Sequence, residues 1–224
     1  MERLSRIYFS ESGAAAEGGE SPPAPVAFVP VLNGAGNGGE VAVESIRRCL
    51  DREGVSSLLA DFDGEAYRLR GGNGTGLDGP ALLDRLRAES DLAVFFLILS
   101  AEPEERGLRL LCRGDISLLL VDSEVPSLKA AYLVLKRLNA IERGTMPALL
   151  SVSPRRSAWD GLAHRRLAEA AERFLHRRVA VWDAEGPDRT AARIADGLRR
   201  MRSRKERGVD PLLRRIAPLV EGDD

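Results

Sequence analysis

A chemically suggestive stretch runs from Asn33 to Val41, reading Asn-Gly-Ala-Gly-Asn-Gly-Gly-Glu-Val, and an acidic pair, Asp61 and Asp63, ends the next apolar run. Glycines placed after a strand and before a helix let backbone N–H groups approach a phosphate. A working loop of this kind adds a lysine for the β and γ oxygens and a Ser or Thr hydroxyl for Mg²⁺. With Gly34 and Gly39 set on that loop's two glycines, Glu40 takes the lysine position and Val41 the hydroxyl position. Gly34, Gly36, Asn37, Gly38, Gly39, Glu40, Val41, Asp61 and Asp63 therefore read as a vestigial nucleotide site whose layout survives without its chemistry. Two unit charges about 4 Å apart at an effective dielectric of about 20 interact by roughly 4 kcal/mol, so turning attraction into repulsion shifts binding by at most about 8 kcal/mol. Micromolar affinity amounts to only about 8 kcal/mol. The expectation is no cofactor, no metal and no catalytic residue. In the alternative, Asn33, Asn37 and backbone amides hold phosphate in ATP/Mg while Arg68 or Arg70 lends a cation.

Other chemistry-bearing residues are sparse. His164 and His176, the two histidines, stand among arginines with no nucleophile partner in sequence and read as surface or interface residues. Cys49 and Cys112 form no Cys-x-x-Cys pair, which argues against a metal site or disulfide framework and fits a reducing compartment. Trp159 and Trp182 read as packing residues. Arg199, Arg200, Arg202, Arg204, Lys205 and Arg207 form a basic run, most simply a solvated helix end. A DNA-binding reading rests on the same run. Beyond Gly208, Leu212, Leu213, Ile216, Leu219 and Val220 recur at amphipathic spacing beside Arg214 and Arg215, suiting either an anionic membrane surface or a helix packed back on the domain.

The elements that position these residues alternate. Strands are expected at 26–32, 55–61, 92–99, 116–121, 146–152 and 179–182, and helices at 40–52, from Pro80, at 127–142, at 158–177 and from Pro187 to about Arg207. The strands are apolar throughout, as strands buried on both faces must be. An α/β domain follows, a three-layer sandwich with a mostly parallel sheet, whose ligands would bind at the carboxyl ends of the strands. The glycine-rich stretch after Asp63 reads as a linker. At 224 residues with 44% hydrophobic content and a net charge of -1, one domain is expected and no global field draws it to nucleic acid or membrane. Residues 1–25 read as a flexible tail, 26–208 as the domain and 209–224 as a C-terminal tail. Leu4, Ile7 and Tyr8 would form one apolar face of a short N-terminal helix. With no signal or membrane span recognisable, a cytoplasmic protein is expected.

Four stretches in order resemble the MinD/ParA family of deviant P-loop ATPases, most closely its MinD and FlhG-like branch. They are the loop at 33–41, LLADFDG at 58–64, LLLVDSEVPSLKAAYLVLKRLN at 118–139 and ALLSVSPRRSAWDGLAHRRLAEAAERFL at 148–175. The resemblance covers Val26 to about Arg200. It implies the P-loop NTPase fold and places Ala35 where the family has a signature lysine. It also implies a Walker B acid at the end of LAVFFLIL, where Phe95 to Ser100 contains no carboxylate. What it implies of function is a non-hydrolysing pseudo-ATPase serving as a protein-binding scaffold or regulator in positioning or assembly of a bacterial envelope machine such as a flagellum, division or polar apparatus. A divergent but active ATPase, and an exopolysaccharide-system accessory protein, are the alternatives. Peripheral membrane association through residues 209–224 belongs to the same set of expectations.

Overall fold

The structure, a computed structural model, describes residues 25–71, 76–141, 146–152, 158–182, 186–201 and 208–221. Of the N-terminal tail expected at 1–25, residues 1–24 with the short helix at Met1 to Phe9 lie outside the described residues, as do Arg202, Arg204, Lys205 and Arg207. Eight strands form one sheet: β1 (Ala27–Asn33), β2 (Ser57–Phe62), β3 (Tyr67–Leu69), β4 (Gly76–Leu77), β5 (Val94–Leu99), β6 (Leu118–Val121), β7 (Ala148–Ser151) and β8 (Val181–Trp182). Their order is β4-β3-β2-β5-β1-β6-β7-β8. The six strands from β2 to β8 in that order pair in parallel, while β3 and β4 add an antiparallel edge. β1, β5, β6 and β7 are buried at every residue, and that is why they carry unbroken apolar runs instead of alternation.

Seven described helices cover the sheet: α1 (Asn37–Arg52), α2 (Gly79–Ala88), α3 (Glu105–Cys112), α4 (Val125–Ile141), α5 (Ala158–Leu175), α6 (Pro187–Met201) and α7 (Asp210–Glu221). Val43, Ile46 and Leu50 of α1 and Ala191, Ile194 and Leu198 of α6 share one apolar cluster with Val29, Val31 and Phe96 of the sheet. On the other face, side chains from α2, α3, α4, α5 and α7 join Phe28, Phe95 and Leu97 in a second, larger cluster. The three-layer α/β architecture expected from the sequence is thus the one formed, with two helices on one face and five on the other.

Three local expectations need correction. The stretch after Asp63 is not wholly linker: Tyr67 is fully buried and stacks on Phe62 with ring centroids 4.6 Å apart, which anchors the β3 and β4 hairpin. α1 begins at Asn37, three residues before the expected Glu40. Gly36, with φ 58°, makes the turn that starts it, and no side chain caps it, so the sequence carries no Ser, Thr or Asp start signal there. His164 is not at the surface. It is fully buried, and its Nε2 lies 3.0 Å from the Val121 carbonyl oxygen.

The segment after Gly208 folds back. Leu212, Leu213, Ile216, Leu219 and Val220 of α7 are all buried, and the helix packs against α2 and α3. Arg106 of α3 fastens the end of α7, donating to the carbonyl oxygens of Leu219 and Val220 while lying over the Phe62 and Tyr67 rings at 5.1 and 5.9 Å. Gly79 lies so close that a Cβ there would come 2.1 Å from the Val220 oxygen. The helix passes through Pro218, which forfeits only one backbone donor near its end.

Candidate functional site

β1 brings the chain to the carboxyl edge of the sheet at Asn33, between β5 and β6. Gly34, Ala35 and Gly36 then make the turn into α1. The Gly34 N–H donates to the Leu120 carbonyl at 3.0 Å, and the Gly34 carbonyl accepts from the Ser127 hydroxyl at 3.0 Å, so the turn is tied to β6 and to the first turn of α4. A side chain at Gly34 would meet the Leu120 oxygen at 2.8 Å, which explains the glycine without any ligand.

The inside of the turn is filled by the chain itself. Asn33 Nδ2 donates to the Gly36 carbonyl at 2.8 Å, and Asn33 Oδ1 accepts from the Ala35 N–H at 3.3 Å. The Gly39 N–H is committed to the Gly36 carbonyl at 3.0 Å. A Cβ on Gly39 would fall 1.9 Å from Asn33 Oδ1, so this glycine makes room for the asparagine amide. A phosphate cradle requires a ring of free amides around the anion. Here the Ala35 and Gly39 amides already point at protein oxygens, and only three residues separate strand from helix.

Glu40 and Asp61 meet at one guanidinium. Arg70, just beyond β3, donates Nε to Asp61 Oδ2 at 2.7 Å and Nη2 to Asp61 Oδ1 at 2.8 Å in a two-pronged contact. The same Nη2 reaches Glu40 Oε2 at 2.9 Å. The Asp61 hydrogen bonds are the main reason that the Arg70 pKa rises above its ordinary value. The cluster is half-buried, and it joins the first turn of α1, the end of β2 and the edge hairpin. Val41 is 67% exposed and offers no hydroxyl.

Asp63 has a separate task. Its Oδ1 accepts the N–H groups of Glu65 at 3.0 Å and Ala66 at 2.9 Å, and its Oδ2 pairs with Arg68 Nη2 at 2.8 Å. These backbone donors, that of Ala66 first, hold its carboxyl below the usual range. It shapes the turn into β3 and is separate from the Glu40–Arg70–Asp61 cluster. Gly38 lies against Val152, where a Cβ would sit 3.4 Å from Cγ1. The side chain of Asn37 is outside the described residues. β5 ends in Leu99, and the exposed Glu102 comes three residues beyond it. Among the described residues no three His, Cys, Asp or Glu side chains gather as metal ligands would.

Of the residues expected to converge at the carboxyl edge, 33–40, 61–63 and 100–105, Glu40 and Asp61 meet through Arg70, whereas Asp63 turns to the amides of Glu65 and Ala66 and to Arg68. That Arg70 binds both acids is not evident from residue types. Glu40 and Arg70 are thirty positions apart, and the only sequence signal is an excess of acids needing a cation nearby.

No family model matches the chain, and no curated protein matches it. Solved structures resemble it at low identity. A chain of the MinC:MinD cell division complex from Aquifex aeolicus is 14% identical, with 81% of this chain and 97% of that one covered and a TM-score of 0.46. The pNOB8 ParA structure is 14% identical, covers 73% and 86%, and scores 0.48. A ParA family ATPase from Chlorobium tepidum is 12% identical, covers 86% and 98%, and scores 0.47.

Proposed function

We propose that this chain is a non-hydrolysing pseudo-ATPase of the MinD and FlhG-like kind, keeping its α/β fold as a protein-binding scaffold or regulator. The observation that carries the reading is Arg70, held between Asp61 and Glu40, the residue in the position that a phosphate loop gives to lysine. A phosphate would need a free cation and free amides. It would instead meet a carboxylate, a guanidinium already bound on two sides, and a turn closed by Asn33. The alternative ATPase borrows its cation from Arg68 or Arg70. Both are committed, to Asp63 and to Asp61 with Glu40.

A role in positioning or assembling a bacterial envelope machine is the cellular setting that the family resemblance suggests, by analogy of fold. Partners are read as proteins. For residues 209–224 to enter an anionic membrane, α7 would have to expose five buried side chains, each worth about 1.5–3 kcal/mol in its present packing. No helix among the described residues is long and apolar enough to cross a membrane. Isothermal titration with Mg-ATP tests the central claim. Millimolar nucleotide should give no saturable heat, whereas micromolar binding with measurable phosphate release would sink the reading.

A further inference from the structure

Between α4 and α5 lies an apolar groove of about 760 Å³ that the scaffold reading leaves without an occupant. Val125, Leu128, Tyr132 and Leu133 form its α4 wall, and Leu162 and Leu167 its α5 wall. Three of them are far from buried: Val125 is 60% exposed, Leu133 58% and Leu162 47%. Such side chains account for most of the exposed large apolar residues of the described surface, and they converge on one place. Each wall extends eight residue steps, from 125 to 133 and from 162 to 170. At 1.5 Å per residue that is about 12 Å, roughly two helical turns. Lys129 and Arg166 are exposed along the lining, which contains no carboxylate, and neither cation is paired among the described residues.

We propose that this groove binds a short amphipathic helix of a partner protein, with apolar anchors at i, i+3 or i+4 and i+7 and acidic residues on its flanks. The inference deepens the scaffold reading by naming the surface and the chemistry of what it holds. Two turns of groove accept the three anchors of such a helix. The unpaired Lys129 and Arg166 select acidic flanks and speed encounter. Charge also argues against the chain's own Met1–Phe9 segment, where Arg3 and Arg6 outnumber Glu2. A second copy paired about a two-fold axis would set basic rim against basic rim. A flat anionic membrane matches the charge but leaves Leu167, the buried residue of the α5 wall, out of reach.

Fluorescence anisotropy of the full chain with a labelled 16-residue model helix tests this. One peptide carries leucine at the three anchor positions, glutamate at the flanking positions and alanine elsewhere; the others are its lysine counterpart and a scrambled glutamate sequence. The glutamate helix should bind at least tenfold more tightly than either control. Leu133→Glu with Leu162→Glu should abolish binding while circular dichroism and the denaturation midpoint hold, because both side chains are already exposed. Lys129→Glu with Arg166→Glu should reverse the preference toward the lysine helix. Equal affinity for the two charged peptides, no binding, or binding indifferent to the leucine substitutions would overturn the proposal. So would pelleting with phosphatidylserine vesicles, or a concentration-dependent dimer, if either were lost with the leucines in place of peptide binding. Peptide binding seen only after Leu4→Asp with Ile7→Asp would assign the groove to the amino-terminal segment and also overturn it. Mg-ATP titration of the same samples separates the two readings, since nucleotide binding with peptide binding intact removes the pseudo-ATPase claim alone.

Discussion

Glu40→Lys combined with Val41→Thr restores the two side chains that a phosphate loop uses, and we expect it to leave Mg-ATP unbound. The new lysine would stand beside Arg70, whose Nη2 is 2.9 Å from the present carboxylate. Like charges about 4 Å apart repel by roughly 4 kcal/mol at an effective dielectric of about 20. The Glu40 and Arg70 side chains are 44% and 29% exposed, so solvent screening brings that figure down to about 1 kcal/mol. The turn is the larger obstacle. The hydrogen bonds from Ala35 to Asn33 and from Gly39 to Gly36, each worth about 1 kcal/mol net, must break before an anion can replace them. A charge-assisted contact from the lysine returns about 1.5–3 kcal/mol, against the roughly 8 kcal/mol that micromolar binding requires. Calorimetry with Mg-ATP, phosphate-release kinetics and urea unfolding should together show no binding, no turnover and a fold weaker by about 1 kcal/mol. Micromolar binding by the double variant would refute the reasoning, because it would mean that the turn opens readily and that only side-chain chemistry had been lost.

Three further outcomes follow from the packing. Arg106→Met removes the donors to Leu219 and Val220 and should cost about 2–3 kcal/mol in urea unfolding, equivalent to several degrees in Tm; an unchanged midpoint would show that α7 does not depend on this clasp. Gly79→Ala forces a Cβ against the Val220 oxygen, which is backbone and cannot rotate away, so a loss of about 1–3 kcal/mol and faster proteolysis near α7 are expected. Tyr67 is fully buried, and burial pushes its phenol from 10.0 up to about 12. The unfolded chain therefore releases this proton first, so stability should hold below pH 10 and fall between pH 10 and 12 by an amount on the order of 2 kcal/mol. Tyr67→Phe should flatten that limb of the stability profile, and a profile identical to the parent's would assign the loss to other groups.

The parallel core was legible because its strands are buried on both faces, and VFFLIL or LLLV leave little choice of environment. The β3 and β4 edge was not, since Tyr67–Leu69 is too short to show alternation and its neighbours are glycines and arginines. His164 was misread through its neighbours Arg165 and Arg166. Leu167 and Ala171 follow it at i+3 and i+7 and are buried, so the helical period already put His164 on the inward face. At the candidate site, the identities of Glu40 and Val41, in the positions that a phosphate loop gives to lysine and a hydroxyl, could be read directly. The filling of the turn could not, because it depends on a side chain at Asn33 folding forward onto Gly36, a rotamer choice that residue types do not specify.

The residues at this turn depend on one another. The N-terminus of a helix favours negative charge through its unpaired N–H groups and its dipole. In a phosphate-binding unit the ligand supplies that charge; in α1 the carboxylate of Glu40 stands in the first turn and supplies it permanently. A fixed carboxylate near Asp61 would repel it, and Arg70 removes the conflict by bridging both. Only a planar fork can hold Asp61 with two nitrogens and still reach Glu40, so lysine at position 70 would satisfy one acid at a time. Asn33 does the equivalent for the backbone, presenting to the Ala35 amide an oxygen that a ligand would otherwise bring. Glu40, Arg70 and Asn33 thus form a mutually dependent set that gives the turn and the helix end internal partners.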